Sequence, residues 1–295
     1  MALRIRAPAK INLTLEVLGR RDDGFHGIRS VVAPLALADT VEIERADRLI
    51  FECDDAELNG EENLALRAVR ALEKAANRTL KARIRLSKVI PTKAGLGGGS
   101  SDAAAMLLAA MEGCFGDLPS LDWLRIARSL GSDVPLFLAN TAALVEGTGE
   151  RVTAVGSIPQ WPVLAVKPPA GISTAQAYEA LDRRERAIRP RADSISLRCA
   201  SALARRDFEA VQELLGNDFE ATALEEPQIA TAYRALEAAG ARRPLLAGSG
   251  SCVFVLAPDE ESADAIARRL DLPADFAVFR TALAASPAWR SEAAP

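Results

Sequence analysis

The sequence predicts an α+β fold in two lobes. Three observations carry that reading. Apolar residues recur with a period of two in some stretches and of about 3.6 in others, but strand and helix do not alternate strictly, which favours segregated sheets and helices over a doubly wound sheet. A turn-rich stretch from Gly147 to Pro162 divides the chain near its middle and sets the expected domains at 1–155 and 156–285, with a tail at 286–295. The chain has 295 residues, 49% apolar and 26% charged. That is an average globular composition and enough length for one large or two medium domains.

The elements follow in order. Leu3 to Leu18 alternates as a strand, with a break expected at Pro8. Arg21-Asp22-Asp23-Gly24 is a turn, since Asp-Gly tolerates the positive φ of a tight hairpin. Val31–Leu37 and Thr40–Ile43 read as strands. Asn63 to Ala76 carries helical spacing through Leu64, Ala68, Ala71, Leu72 and Ala75. Ala82, Ile84 and Leu86 alternate with Arg83, Arg85 and Ser87 as a half-buried strand. A helix is expected to Glu112 and another over Leu121–Leu130 with Ser120 as its cap, followed by a strand over Thr141–Val145. The second half opens with a strand, Val163–Val166, and continues with helices near 174–182, 194–205, 207–215 and 226–239. A strand over Cys252–Leu256, a helix near 260–270, a strand near Phe276–Phe279 and a frayed tail after Ser286 complete the reading.

Charge and composition exclude several function classes. With 36 Lys+Arg against 40 Asp+Glu the formal net charge is −4. A protein that grips a nucleic acid backbone is usually strongly basic, so nucleic acid is not an expected partner. A local basic pocket for a phosphorylated small molecule is compatible with that balance. The longest uncharged apolar run, Ala103 to Met111, has nine residues, against roughly 20 for a membrane span, so no membrane partner is expected. Met1 to Arg6 alternates and holds no signal-peptide core. Cys53, Cys114, Cys199 and Cys252 are too far apart for a zinc knuckle, and they fit a reducing cytoplasm. One histidine, His26, is too few for a zinc site with two or three His ligands.

The strongest local signal is a strand, then a glycine-rich loop, then a helix. The loop reads Pro91-Thr92-Lys93-Ala94-Gly95-Leu96-Gly97-Gly98-Gly99-Ser100-Ser101, with Asp102 opening the helical run. Glycine permits positive φ and close approach of the backbone to an anion. Successive N–H groups can converge on one concavity, and the helix N-terminus favours negative charge. The physics is that of a triphosphate cradle. The loop lacks Gly-Lys-[Ser/Thr], so it is not a P-loop, and nothing matches Gly-x-Gly-x-x-Gly. The alternative is a flexible hinge, which seldom carries two serines and a helix directly behind its glycines.

The run from Pro91 to Ala104 resembles the ATP-binding signature of the GHMP small-molecule kinases. Three other places agree. Ala7-Pro8-Ala9-Lys10-Ile11-Asn12-Leu13 and Arg20 to His26 resemble the N-terminal signature of that family, Leu130 to Pro135 its catalytic-base segment, and Ala247 to Phe254 its third motif. These stretches run from residue 7 to 254. The resemblance implies an N-terminal ATP-binding domain, a ferredoxin-like C-terminal domain and an active site in the cleft between them. It implies ATP bound over Pro91–Ser101, Mg²⁺ as MgATP with Ser101 and Asp133 as candidate ligands, and Gly248 and Ser249 at the substrate. The triple glycine followed by Ser-Ser-Asp-Ala-Ala is closest to the branch whose acceptor is a cytidine-diphosphate-linked methylerythritol. That implies transfer of the ATP γ-phosphoryl group to its 2-hydroxyl, in the non-mevalonate isoprenoid route, by a monomer or homodimer.

Individual residues then acquire expected roles. An Asp can accept the proton of an acceptor hydroxyl and a Lys can steady the charge that develops. The resemblance implies that Asp133 is that base and Lys10 lies beside it. On local sequence alone Asp133 also reads as a helix cap and Lys10 as a solvated strand lysine. Asn12, one strand period from Lys10, points to the same side and is expected to bind an erythritol hydroxyl. Phe25-His26 follows a turn; an aromatic face can stack on a base, and an imidazole can hydrogen-bond its edge. The resemblance implies that Phe25 stacks on cytosine, where the family usually has Tyr, and that His26 pairs with it; the alternative for His26 is a purely structural residue. Tyr178 is the candidate for the opposite face of the base, or else packs its helix onto the core. Homoserine, mevalonate and sugar kinases of the same family are alternatives, as is a nucleotide-binding regulator without turnover. Phe25-His26 speaks against the former, and retention of Lys10 and Asp133 against the latter.

Overall fold

A computed structural model describes residues 3–22, 24–184, 191–284 and 291–293. The first two strands dominate it. β1 (Leu3–Arg20) and β2 (His26–Glu44) run 18 and 19 residues and pair antiparallel along their whole length. Pro8 does not break β1. The register shifts between Pro8 and Lys10 and again between Asn12 and Thr14, so irregularities absorb the missing donor and the strand continues. The two strands expected over 31–43 are likewise one, β2. Asp23, in the turn between β1 and β2, lies outside the described residues.

β3 (Ile50–Cys53), α1 (Leu64–Ala76) and β4 (Arg83–Ser87) follow. β2 pairs with β4 through its second half and with β5 (Ala142–Gly147) through its first. α2 (Gly98–Met111), α3 (Trp123–Leu130) and α4 (Val134–Leu138) join α1 over one face of this sheet. α2 is apolar on every side, which suits only a fully buried helix, and nearly all of Ser101 to Ala110 is buried. Ile5, Val41, Leu72, Ile84, Leu86 and Met106 close that core. The N-cap of α3 is Asp122, whose side chain accepts from Arg125 N, and not Ser120. The turn-rich stretch after Gly147 contains a strand, β6 (Arg151–Gly156), paired with β5.

The second half opens with β7 (Pro162–Lys167), α5 (Thr174–Asp182), α6 (Ile195–Ala204) and α7 (Phe208–Leu214). β8 (Gly216–Asn217), α8 (Glu220–Ala223), α9 (Pro227–Ala238) and β9 (Leu245–Leu246) come next, then β10 (Val253–Leu256), α10 (Glu260–Arg269), β11 (Ala277–Ala282) and β12 (Ser291–Ala293). β11, β7, β10 and β9 lie in that order in an antiparallel sheet, the ferredoxin-like arrangement, with extra helices between its first two strands.

The two halves share a core. β8 pairs with Thr14 and Leu15 of β1, so a strand from the second half extends the first sheet. Ile11, Leu13, Val31 and Ala33 of the first sheet pack in one cluster with Val163, Ala165, Leu245 and Phe254 of the second. Within the expected tail, residues 291–293 pair with Leu3–Ile5 as β12; 286–290, 294 and 295 lie outside the described residues. No helix among the described residues is long and apolar enough to cross a membrane.

Candidate active site

The glycine loop is held from below by a buried carboxylate. Asp39, fully buried in β2, accepts from the N–H of Val89 at 2.6 Å and of Ile90 at 2.8 Å. Its second oxygen takes the Lys88 ammonium at 2.5 Å, and that ammonium also donates to Asp102 at 2.7 Å. Strand end, loop entry and first turns of α2 are thereby pinned to one another. Burial weighs against the charge on Lys88, but the two carboxylates outweigh it and hold the ammonium above the ordinary lysine range. Burial pushes the Asp102 carboxyl up to about 7, with Lys88 opposing the rise and Asp39 adding to it. One cation cannot neutralise two buried carboxylates, so the second holds its proton to higher pH.

Above this triad the loop turns at Gly95 (φ +77°) and Gly97 (φ +72°), both in the left-handed region. A Cβ on Gly97 would lie 3.0 Å from Phe137 Cζ and 3.1 Å from Lys10 Cγ. A Cβ on Gly95 would overlap the carbonyl oxygen of Ala247. Glycine thus lets the loop touch β1 on one side and the 247–250 turn of the other lobe on the other. Lys10 N donates to Leu96 O at 2.9 Å and Cys252 N to Ala94 O at 3.2 Å, fastening both contacts. A cavity of about 450 Å³ lies over the loop, of a size that takes a nucleotide-like ligand. Every residue from Ile90 to Ser100 lines it, together with Lys88, Asp102 and Thr174 among others. The N–H groups that open α2 come from this same loop and have no intrahelical acceptor.

Ser101 is placed differently from the rest of the run. It does not line the cavity, and its Oγ is buried with no hydrogen-bond partner. Among the described residues no group of three His, Cys, Asp or Glu could hold a metal ion. A protein-built cage for Mg²⁺ does not fit these residues.

Lys10 and Asp133 meet. Lys10 Nζ lies 3.8 Å from Asp133 Oδ2 and donates to Asn12 Oδ1 at 2.7 Å. Burial lowers the Lys10 ammonium below the ordinary lysine range, and the Asp133 carboxylate pulls it partly back. Asp133 stands at the N-cap position of α4 but makes no side-chain cap, and 42% of its side chain is exposed. The carboxylate is therefore turned to Lys10 and to solvent instead of to its own helix. Asn12 is committed on both sides, since Nδ2 donates to Ser30 Oγ at 2.8 Å. Its amide aims Lys10 and, with two donors and two lone pairs in all, keeps capacity for a substrate hydroxyl. A Cβ on Gly248 would come within 3.1 Å of Lys10 Nζ, so the 247–250 turn closes the site from the second lobe. Ser249 Oγ and Thr174 Oγ1 lie 3.0 Å apart across the cavity's rim. Asn217 in β8 fixes that turn by donating to Leu246 O at 2.8 Å and Gly248 O at 2.7 Å.

Phe25 is 65% exposed at the hairpin tip, while His26 beside it is nearly covered. Tyr178 stacks on His26, with ring centroids 4.6 Å apart and planes 19° from parallel. It meets Phe219 edge-on at 4.9 Å. α5 thereby brings Tyr178, the candidate for the far face of the base, against the imidazole at the start of β2. A second cavity of about 320 Å³ lies beside Asp133, lined by Phe25, Arg128, Ser132, Pro135, Thr148, Gly149 and Glu150. The Gly147-Thr148-Gly149-Glu150 turn, which the sequence marks only as the start of a turn-rich boundary, thus lies at the site. Sequence reading missed Lys88, Asp39 and Asn217, since each acts through partners far away in the chain.

The chain is similar over most of its length to known proteins. The chain matches the GHMP kinases N terminal domain over residues 63–141 and the GHMP kinases C terminal domain over residues 199–273. It is 39% identical to a 4-diphosphocytidyl-2-C-methyl-D-erythritol kinase of Pelotomaculum thermopropionicum, over 91% of this chain and 94% of that one. It is 40% identical to the protein of the same name from Symbiobacterium thermophilum, over 95% and 99%. A crystal structure of 4-(cytidine 5'-diphospho)-2C-methyl-D-erythritol kinase superposes with a TM-score of 0.80 at 35% identity, covering 95% of this chain and 98% of the other.

Proposed function

Because this chain belongs to the 4-diphosphocytidyl-2-C-methyl-D-erythritol kinases, within the GHMP kinase family, we propose that it transfers the γ-phosphoryl group of ATP to the 2-hydroxyl of 4-diphosphocytidyl-2-C-methyl-D-erythritol. The products are the 2-phosphate and ADP, and the step belongs to the non-mevalonate route to isopentenyl diphosphate. The observation that carries this reading is the contact of Lys10 with both Asp133, at 3.8 Å, and the glycine loop at Gly97. A carboxylate, an ammonium and a phosphate cradle share one site.

The roles follow from the chemistry of each group. The backbone of Gly95–Ser100 and the N-terminus of α2 hold the triphosphate. Asp133 accepts the proton of the 2-hydroxyl, or orients it, as the oxygen lines up with the γ-phosphorus. Lys10, aimed by Asn12, offsets the negative charge that gathers between them. Phe25 stacks on the cytosine ring and His26 reads its edge; the missing hydroxyl of a tyrosine leaves the stacking face intact. Gly248 and Ser249 close the acceptor side. Magnesium, when bound as MgATP, would supply neutralisation of phosphate charge and would need few ligands from the protein. Of the two candidate ligands, Ser101 has its hydroxyl buried away from the cavity, and Asp133 is committed to the acceptor side beside Lys10. The reaction is assigned to the cytoplasm, to a monomer or homodimer, with no nucleic acid or membrane partner.

A coupled ADP-release assay on a panel of alcohols tests the assignment. The cytidine-linked methylerythritol should be turned over far faster than homoserine, mevalonate or galactose. Preference for any of the latter three refutes it.

A further inference from the structure

His26 is held by two residues of one helix. Tyr178 stacks on its ring, and Asp182, one turn later in α5, lies 2.7 Å from its Nε2 through Oδ1. Nine per cent of the His26 side chain is exposed. A carboxylate only accepts hydrogen bonds, so the ring nitrogen that faces it carries the hydrogen. In a neutral imidazole the other nitrogen, Nδ1, then bears a lone pair and can only accept. The stack with Tyr178 fixes the plane in which that lone pair points.

The two common pyrimidines differ at the position such a nitrogen would read. Cytosine carries an amino group at C4, which donates. Uracil carries a carbonyl there, which accepts and would face the Nδ1 lone pair. We propose that Asp182 is a positioning residue that sets the tautomer of His26, and thereby makes the site choose the 4-amino group of a cytidine diphosphate over the 4-oxo group of a uridine diphosphate. The inference rests on the reading of Phe25 and His26 as the base site. Among the described residues the hydrogen bond given for Asp182 is to His26, so its effect on the ligand passes through the imidazole. Its replacement by Asn keeps the shape but lets the amide present either a donor or an acceptor, which releases the tautomer.

The chain contains a single histidine, so its imidazole ¹⁵N spectrum reports this ring alone. In the intact wild-type enzyme at assay pH, Nε2 should be of the protonated type and Nδ1 of the unprotonated type. Calorimetric titration with CDP and with UDP should show a clear preference for CDP. In Asp182→Asn that preference should fall about tenfold, the scale of one hydrogen bond gained or lost, while KM for ATP stays unchanged and the imidazole signals move toward a tautomer mixture. A wild-type Nδ1 that carries hydrogen overturns the proposal, as does an Asp182→Asn enzyme that keeps its full preference. If wild-type enzyme binds CDP no better than UDP, the base-site reading itself falls. A wild-type preference that survives in the variant removes only the role of Asp182.

Discussion

Gly95 faces Ala247 so closely that a Cβ on Gly95 would sit 2.8 Å from the Ala247 carbonyl carbon. Two loops from opposite halves of the chain meet at that point, and the phosphate cradle is shaped by both. Gly95→Ala would add the cost of a left-handed conformation, about 1–2 kcal/mol, to the displacement of one loop. The expected result is a protein destabilised by about 2 kcal/mol or more, with ATP affinity reduced. Urea denaturation and ATP titration measure the two effects, and an unchanged ATP affinity would mean that the Gly95–Ala247 contact does not shape the nucleotide site.

Asp133 and Lys10 allow a sharper separation of binding from chemistry. Asp133→Asn should lower turnover by about 10²-fold or more and leave ATP affinity nearly intact, since the nucleotide cavity does not include Asp133. Asp133 also holds the Lys10 ammonium up against burial. Without it that ammonium loses its proton more readily, so the alkaline limb of the residual activity should move to lower pH. Near wild-type turnover would remove Asp133 from the reaction.

Gly149, at the tip between β5 and β6, has φ +112°, and a Cβ there would lie 2.9 Å from the carbonyl oxygen of Ser132, next to Asp133. Gly149→Ala should shift the segment that carries the carboxylate. We expect kcat to fall about tenfold or more, as a misplaced catalytic group costs, with KM for ATP within about twofold of wild type. Steady-state kinetics at saturating alcohol decide this, and equal loss in both parameters would point to global disruption instead.

The triad under the loop makes a prediction about stability and pH. An Asp carboxyl raised to about 7 in the folded state stays neutral there while the same group in the unfolded chain ionises near 4. The stability it lends is present in full below about pH 4 and is lost as pH rises through about 7. Asp102→Asn cannot ionise. The unfolding free energy of wild type minus that of the variant should therefore fall between about pH 4 and 7 and level off above. Urea titrations across that range check it; a difference that grows with pH contradicts the assignment.

Much of the site was legible because its chemistry is local in the chain. The glycine run lies between an alternating strand and an apolar helix, so the loop, its turns and the helix start can all be read from consecutive residues. Lys10 and Asp133 could be named from the motifs around them. Their separation could not, because it depends on how β1 passes beneath Gly97. What stayed hidden was mostly long-range. Asp39 acts on Lys88 and Ile90 across a sheet, Asn217 acts on a turn some thirty residues away, and Tyr178 finds His26 only because α5 docks under β2. Short elements also escaped. β8 has two residues and no periodicity to show, and α4 is little more than one turn with Pro135 inside it. Pro8 misled in the opposite sense, since a register shift in a long strand tolerates what a short one would not.

The pairing of β8 with Thr14 and Leu15 bears on how the protein can be taken apart. A fragment ending near residue 155 would bare the apolar side of its own sheet, where Val163, Ala165 and Phe254 now sit. Such a fragment would aggregate instead of standing alone, and heating the whole chain should produce one cooperative transition, not two.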